Sequence, residues 1–221
     1  MNKKDYLNLM GIDVFQEKSA SCFAKATQAD EQSVSVPLRR DERWAALETR
    51  AKVCTLCDLS KTRTNVVFGS GNRNAQLLVV GEAPGQNEDL QGLPFVGRGG
   101  QLLTNMLKSI GLDREQIYIA NILKCRPPQN RDPNPIEVAT CTPYLLEQIA
   151  LLQPKIILAV GRIAAQFLLN TEETMAKLRG HEFRYQDIPL LVTYHPAYLV
   201  RAPREKRKSW DDMLRLQKYL K

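Results

Sequence analysis

Short apolar runs alternate along this chain with segments in which apolar residues recur every three or four positions. The runs at 76–80, 117–124, 155–161 and 188–194 are continuous and short, which is typical of strands buried on both faces of a parallel sheet. Helical spacing predicts helices over 41–53, 101–110, 135–152, 162–169 and 209–220. Strands that alternate with helices predict an α/β fold with a parallel sheet covered by helices on both faces.

A few local signals mark the ends of these elements. Asp41 is the expected N-cap of the first helix. Asn134, with a proline next and Glu137 three positions on, predicts a capped helix start. Segment 171–180 has no clear pattern, and 181–185 fits either an antiparallel edge strand or a loop. We expect these segments to join the last two strands of the sheet.

The first forty residues differ from the rest. Residues 1–15 contain a short apolar patch, and a Ser-, Gln- and Glu-rich stretch without a periodic apolar face follows it. Such a composition cannot bury enough apolar surface to fold alone, so we predict a flexible extension over 1–40 and one domain over 41–221. The patch either packs locally or docks on a protein partner. Under the second hypothesis, deleting residues 1–15 removes the partner and spares the domain's activity.

Composition narrows the class of protein. Apolar residues make up 43% of the 221 and charged residues 25%, as in globular proteins. We find neither a run long enough to span a bilayer nor a signal peptide, so we expect a cytoplasmic, nucleoid-associated monomer without a membrane partner. The 31 basic and 24 acidic residues give a net charge of +7, which favours a polyanionic partner.

Polar side chains follow three of the predicted strands at the point where each strand ends. The first strand runs into Gly81-Glu82-Ala83-Pro84-Gly85, a sharp turn that glycine and proline favour. Asn121 lies at the end of the second strand, and His195 follows the fourth. Ligands of open α/β sheets bind at the carboxyl ends of the strands. The sequence therefore predicts a binding site there, although each residue also fits an ordinary solvated or capped strand end.

Four cysteines follow the spacing C-x2-C-x67-C-x15-C: Cys54, Cys57, Cys125 and Cys141. A C-x-x-C pair is compatible with redox chemistry, metal binding or chance. Four thiolates suit either an iron–sulfur cluster or a structural zinc, and the spacing alone does not decide between them. The last two cysteines also fit small buried apolar residues. The fifth cysteine, Cys22, lies in the predicted extension and is expected to be a free thiol.

Five motifs occur in a fixed order along 41–221: Gly81-Glu82-Ala83-Pro84-Gly85 with Glu88-Asp89, Pro94-Phe95-Val96-Gly97, Asn121 to Pro128 with Asn130-Arg131, His195-Pro196-Ala197-Tyr198-Leu199, and the four cysteines. Together they resemble the family 4 uracil-DNA glycosylases. The resemblance implies a three-layer α/β/α sandwich with a central four-stranded parallel sheet. It also implies a [4Fe–4S] cluster on the four cysteines, and a DNA-repair enzyme that flips uracil out of single- or double-stranded DNA and hydrolyses its N-glycosidic bond.

The resemblance assigns substrate-binding roles to Gly81, Gly85, Glu88, Phe95 and Asn121. The Phe95 ring can stack on a pyrimidine. The Asn121 amide can donate to uracil O4 and accept from N3–H, whereas cytosine presents the opposite pattern at both atoms. Glu88 is implied to face the C5 edge and exclude the thymine methyl group.

The catalytic residues implied are His195, Glu82 and Ala83. His195 is implied to donate a hydrogen bond to uracil O2 as negative charge leaves with the base. In the first family of uracil-DNA glycosylases, the position of Ala83 holds an Asp that orients water. The water activator is therefore open here, and we expect Glu82 to orient the loop rather than act as a base.

DNA contacts are expected from Leu199, as a wedge that fills the gap of the flipped base, and from Arg201, Arg126 and Arg131. A basic run, 204–208, continues this surface. Two alternatives remain at this point: a non-catalytic iron–sulfur protein that binds DNA or senses redox state on the same scaffold, and a zinc-stapled regulator.

Overall fold

The computed structural model describes residues 38–220, and the predicted 1–15 patch and most of the predicted extension lie outside them. The helices are α1 (Arg40–Lys52), α2 (Gln86–Gln91), α3 (Arg98–Lys108), α4 (Pro135–Leu152), α5 (Arg162–Leu169), α6 (Met175–Leu178), α7 (Pro196–Arg201) and α8 (Lys206–Leu220). The strands are β1 (Ser70–Gly71), β2 (Leu77–Gly81), β3 (Tyr118–Asn121), β4 (Ile156–Val160), β5 (Glu182–Tyr185) and β6 (Ile188–Thr193). Four single turns of 3₁₀ helix complete the described elements: Asp58–Lys61, Arg114–Gln116, Pro128–Asn130 and Pro203–Glu205.

The sheet has the order β1-β3-β2-β4-β6-β5. Its four central strands are parallel, which confirms the predicted parallel sheet. The strand number expected from the resemblance is wrong, because β1 and β5 add one antiparallel edge each and the sheet has six strands. Both additions are short, and the 181–185 segment takes the edge-strand alternative.

Two cores lie on opposite faces of the sheet because side chains alternate along each strand. Leu78 and Val80 of β2 face a core that α1, α4 and α5 cover. Leu77 and Val79 of the same strand face a core that α3 and α8 cover. All five residues of β2 are buried, as expected for a central strand. The three-layer α/β/α sandwich is therefore confirmed.

The ends of most predicted helices differ by no more than three residues from the ends in the structure. The Asn134 cap is confirmed, since its side chain accepts from the Glu137 N–H and the Glu137 carboxylate accepts from the Asn134 N–H. The predicted Asp41 cap is wrong, because the helix begins one residue earlier and Arg39 occupies the cap position. Across the described residues, no helix combines the length and apolar character that crossing a bilayer requires.

Candidate active site

The carboxyl ends of the central strands meet at a cavity of about 390 Å³. The register of the sheet places Gly81 of β2 beside Asn121 of β3, and His195 follows β6 two strands away. The cavity brings together nine of the residues predicted for function: Glu82, Ala83, Gly85, Glu88, Phe95, Asn121, Arg131, His195 and Arg201. Residues from three strand ends, from α2 and α7, and from the loops around Phe95 and Arg131 thus face one space.

Gly81 is not among the residues that line the cavity, but it permits the close approach of two that are, Asn121 and Phe95. A Cβ atom at this position would lie 2.3 Å from Asn121 Oδ1 and 2.6 Å from Phe95 Cζ. Both distances are shorter than real Cβ contacts, so a side chain here would displace the amide or the ring. A glycine is therefore required for the ring and the amide to border the same space.

Phe95 holds an unusual backbone conformation, with φ of 53°. A non-glycine residue in this left-handed region persists only where its surroundings fix it. Arg114 supplies part of that support, since Nη1 donates to the Phe95 carbonyl at 2.9 Å and Nη2 donates to the Pro94 carbonyl. Glu88 supplies the rest, because its Oε1 accepts from the N–H groups of the next two residues, at 2.9 Å each.

The fixed loop holds the Phe95 ring against His195. The two ring centroids are 5.7 Å apart, and the ring planes are inclined by 33°. The ring is buried on its far side and borders the cavity. It therefore offers an apolar face on which a planar ligand can stack.

Asn121 carries an unpaired acceptor. Its side chain is 2% exposed, and among the described residues Asn121 Oδ1 and the Trp44 ring nitrogen are the buried side-chain polar atoms without a hydrogen-bond partner. A buried oxygen without a partner costs free energy. The backbone of Asn121 is held by the buried Lys124, whose Nζ donates to its carbonyl at 2.8 Å. A ligand N–H that enters the cavity can satisfy the free oxygen.

His195 is neutral, and one contact determines which ring nitrogen carries the proton. It is the N-cap of α7, and its Nδ1 accepts from the Ala197 N–H at 3.2 Å. Burial, and secondarily the Arg201 charge, lowers the pKa of His195 to about 4, although Glu88 acts in the opposite direction. At neutral pH the proton is therefore on Nε2, which is available as a hydrogen-bond donor.

Glu82 shares its surroundings with an ion pair that the sequence did not reveal. Burial, with the Asp132 charge adding to it, raises the pKa of Glu82 to about 7, while Arg162 opposes this shift. Arg162 Nη2 donates to Asp132 Oδ2 at 2.9 Å. Glu82 is therefore about half ionised near neutral pH, and two opposite charges nearby set the balance.

Among the residues predicted to contact DNA, Arg201 is exposed at the cavity edge. Arg131 lines the cavity but forms a bidentate ion pair with the buried Glu137, at 2.9 and 2.5 Å. Arg126 is partly buried, and its Nε donates to Asn130 Oδ1 at 2.7 Å. These two loop arginines therefore also stabilise the fold of their own loop.

The wedge role predicted for Leu199 is not supported. Its side chain is 0% exposed, because α7 packs between α3 and α8 and turns this residue inward. To enter a DNA duplex, Leu199 would first have to leave this buried position. The resemblance gave the position of the residue along the chain but not the face of the helix on which it lies.

The four predicted cysteine ligands lie together. All four are free thiols and border one small cavity, which also contacts Arg63, Lys124 and Tyr144. Arg63 Nη1 lies 3.2 Å from Cys125 Sγ, and the Lys124 N–H lies 3.2 Å from Cys141 Sγ. Within residues 38–220, no three Cys, His, Asp or Glu side chains are arranged to hold a single metal ion.

Arg114 and Asp132 are the residues near the site that the sequence did not single out. Arg114 lies 19 positions from the carbonyl that it fixes, and Asp132 lies 30 positions from its partner Arg162. Neither belongs to a motif, and both act through contacts between distant segments. A single sequence therefore contains no signal that would identify Arg114 or Asp132.

Comparison with known proteins agrees with this geometry. The model of the uracil DNA glycosylase superfamily matches residues 68–215. The chain is 44% identical to the type-4 uracil-DNA glycosylase of Archaeoglobus fulgidus, over 74% of this chain and 86% of the relative. It is 43% identical to the type-4 enzyme of Thermotoga maritima, over 73% and 85% of the two chains. The type-4 enzyme of Sulfurisphaera tokodaii is 41% identical, over 74% and 79%.

These matches include the cavity residues and confirm the resemblance carried by the five motifs. The curated relatives are similar over most of their own length, and the match to the superfamily model spans both the first strand-end loop and the His195 segment. The chain therefore belongs to the uracil DNA glycosylase superfamily and, within it, to the type-4 uracil-DNA glycosylases.

Proposed function

We propose that this protein excises uracil from DNA by hydrolysing the N-glycosidic bond, which leaves an abasic site for base-excision repair. The observation that carries the proposal is the unpaired Asn121 Oδ1 in a cavity bordered by Phe95 and His195. The relatives named above are uracil-DNA glycosylases and support the same reaction.

The cavity can read the edge of a uracil that has been rotated out of the DNA. Phe95 stacks on the base, Asn121 Oδ1 accepts from N3–H, and Asn121 Nδ2 donates to O4. Cytosine has an acceptor at N3 and donors at N4, so both contacts would fail. A site built to hydrogen-bond its substrate can reject an analogue without those groups by about 10⁴-fold. Glu88 borders the cavity, and in this pose it would face the C5 edge, where thymine carries its methyl group.

Bond cleavage moves an electron pair from the C1′–N1 bond onto uracil and leaves positive charge on the sugar. The neutral His195 can donate Nε2–H to O2, where the negative charge of the leaving base accumulates. Water then adds to C1′ and loses a proton, so that the products are uracil and an abasic sugar. A preorganised donor of this kind typically contributes about 10²–10³-fold to the rate.

The turn that carries Ala83 has no polar side chain at that position to orient water. The ionised form of Glu82, at the edge of the cavity, supplies negative charge that stabilises the positive sugar. Stabilisation of the leaving uracil by His195 therefore dominates over base catalysis in this proposal, and the charge on Glu82 makes the smaller contribution. Severe loss of activity in Glu82→Gln, as large as in His195→Ala and with uracil binding intact, would contradict it.

The four cysteines are proposed to hold a [4Fe–4S] cluster. A single zinc ion needs all four sulfurs around one point, whereas each iron of a four-iron cluster takes its own thiolate, so the sulfurs stand farther apart. The four cysteines border one cavity, as a shared ligand set requires, and the resemblance to the family 4 enzymes implies the cluster rather than zinc. The N–H groups near Cys125 and Cys141 can stabilise the negative sulfurs. The bound cluster would join the segments that carry Cys54 and Cys125 and needs no redox role.

DNA is the proposed partner, single- or double-stranded. Arg201 lies at the cavity edge, the exposed basic residues of 204–208 follow it along the chain, and all of them can contact phosphates. Arg131 lines the cavity from the loop between Cys125 and Cys141, and Arg126 belongs to the same loop. A monomeric state, a cytoplasmic and nucleoid-associated location, and a protein partner for residues 1–15 stay predictions.

The reaction is tested with a labelled oligonucleotide that contains one uracil, followed by alkali, which cleaves at abasic sites. Cleavage at uracil only, with matched thymine and cytosine oligonucleotides intact, is the expected result. His195→Ala serves as the inactive control. DNA binding without cleavage by the pure protein would instead support the non-catalytic alternative.

The cofactor is tested separately on the anaerobically purified protein. The expected results are about four iron and four sulfide per chain and a broad visible absorbance that dithionite bleaches. A colourless protein with one zinc per chain would overturn the cluster in favour of a zinc staple.

A further inference from the structure

Helix α7 presents one exposed aromatic ring beside the candidate active site. Ala197 and Arg201, one turn apart, both border the cavity, while Leu199 faces the core. Tyr198 lies between them in the sequence and is 40% exposed. It is therefore the large apolar side chain of α7 that reaches the protein surface next to the cavity.

The Tyr198 ring rests on a series of packed groups. Its centroid is 5.2 Å from that of Tyr194. The Arg179 guanidinium lies over the Tyr194 ring at 4.5 Å and forms an ion pair with Asp212 at 2.8 Å. The Arg179 and Asp212 side chains are both nearly buried. The exposed ring is thus supported from behind by a fixed ring and a fixed charge pair, and it loses little freedom when it contacts a ligand.

We propose that Tyr198 is the side chain that enters the duplex and stacks on the bases flanking the extruded uracil. The proposal rests on the proposed function and names the residue that performs one step of it. Rotating a base out of a duplex leaves a gap one base thick and breaks two stacking contacts. A flat ring can restore those contacts with any neighbouring base. Arg201, three residues on along the same helix, is placed to hold the adjacent phosphate.

Leu199 acts indirectly in this proposal. It is buried between α3 and α8, with Met106 and Met213 among its neighbours around a shared apolar cavity. That packing holds α7 in place and keeps the Tyr198 ring turned outward. Truncating Leu199 is therefore expected to lower stability rather than change the preference for a type of DNA substrate.

The test measures single-turnover excision from three substrates: a single strand, a duplex with a U·G mismatch and a duplex with a U·A pair. Extrusion costs least from the single strand and most from the paired base. For Tyr198→Ala we expect little change on the single strand, a loss on U·G and a larger loss on U·A, about ten- to a hundredfold. Tyr198→Phe should retain the wild-type ratios because it keeps the ring.

Trp210→Ala is the matched control. Trp210 is 41% exposed on α8, and its side chain does not border the candidate active site. Its removal should leave all three rates unchanged. A 2-aminopurine placed next to uracil gives an independent reading, since a ring that stacks on it quenches its fluorescence. Binding of His195→Ala should quench this signal, and the additional change Tyr198→Ala should restore it.

The outcomes separate this inference from the proposed function. Equal losses of Tyr198→Ala on all three substrates, or no loss on any, would overturn the wedge and leave uracil excision standing. Wild-type protein that cleaves none of the substrates would instead overturn the function. If Tyr198→Ala unfolds, Tyr198→Leu keeps an apolar side chain without the ring, and its duplex-to-single-strand ratio decides the question in the same way.

Discussion

The candidate active site has two walls that are built in different ways. The strand-end wall consists of 81–85, Asn121 and His195, and the register of parallel strands determines its position. The loop wall consists of 126–134, which includes one turn of 3₁₀ helix and two residues with positive φ, Gln129 and Asn130. Contacts between side chains hold it, and Cys125 directly precedes it, whereas Cys141 lies seven residues after its end, in α4.

This difference predicts which substitutions affect the reaction and which affect the fold. Hydrogen bonds of the sheet fix the strands that carry the strand-end wall, so Asn121 or His195 can change without moving the backbone, whereas Gly81 admits no side chain. The loop wall has no strand of its own, and it depends on the Arg131–Glu137 ion pair, the Arg162–Asp132 ion pair and the cysteine site. We therefore expect substitutions in the strand-end wall to affect rates and losses at the cysteine site to affect the fold.

Removal of one cysteine ligand should have the largest effect. Cys141→Ser is expected to lower the free energy of unfolding by about 4 kcal/mol or more, as losses of a structural metal site typically do. Thermal melting, iron content and uracil excision are measured together. Cys22→Ser is the matched control, because Cys22 lies outside the described residues and outside the predicted ligand set. A variant of Cys141 with full iron content and unchanged melting would contradict the role assigned to the cysteines.

Loss of the leaving-group donor should come next. His195→Ala is expected to reduce kcat by about 10²–10³-fold, with a small drop in melting temperature because α7 loses its N-cap. His181→Ala, which alters the other histidine of the sequence at an exposed position, should behave like wild type. In the wild-type protein the low pKa of His195 should keep the donor neutral, so no loss of rate is expected near pH 6.5 from this group. Equal activities of the two variants would remove His195 from the mechanism.

The two walls also differ in how far sequence reasoning could describe them. Strand periodicity and the topology of parallel sheets were sufficient to place 81–85, Asn121 and His195 at one edge. The short helices α2 and α7, six residues each, were missed because they are too short for an apolar period. The burial of Leu199 was not predicted either, because the direction in which a side chain points depends on the helix that carries it.

Support from distant segments was also out of reach. Arg114 and Asp132 act through contacts that exist only after folding, and their own neighbours in the sequence form no pattern. The edge strand β1 extends the sheet by only two residues and was not predicted, whereas β5 is the edge-strand alternative stated for 181–185. Periodicity identifies patterns that repeat along the chain, whereas the contacts of Arg114 and Asp132 each occur once.

Arg114 tests whether the strand-end wall depends on support from outside the sheet. Arg114→Ala removes the donors that hold two successive carbonyls of the Phe95 loop. We expect kcat/KM to fall by about tenfold, mainly through KM, because the stacking ring loses its fixed position. Arg114→Lys should recover only part of it, since an ammonium cannot reproduce the fork. Arg43→Ala, exposed on α1, is the control, and a pure kcat effect would contradict the positioning role.

The Asp132–Arg162 ion pair should have the smallest effect, and the sign of that effect distinguishes its two members. The pKa of Glu82 is raised to about 7, and Asp132 raises it while Arg162 lowers it. If the ionised carboxylate assists the reaction, the rate rises with pH around a midpoint near 7. Asp132→Asn then moves the midpoint to lower pH, and Arg162→Gln moves it to higher pH. Since Glu82 is about half ionised at pH 7, neutralising Asp132 raises the rate there by at most about twofold.

The two variants together distinguish an electrostatic effect from a general disturbance of the loop wall. A general disturbance of the loop wall would move both midpoints in the same direction or lower both plateaus, whereas removal of opposite charges moves the midpoints apart. Glu82→Gln should abolish the rise of the rate with pH near 7, because the titrating group is gone. If the rise of the rate with pH persists in Glu82→Gln, it is caused by another titrating group. The charges of the loop wall would then have no influence on the chemistry of the strand-end wall.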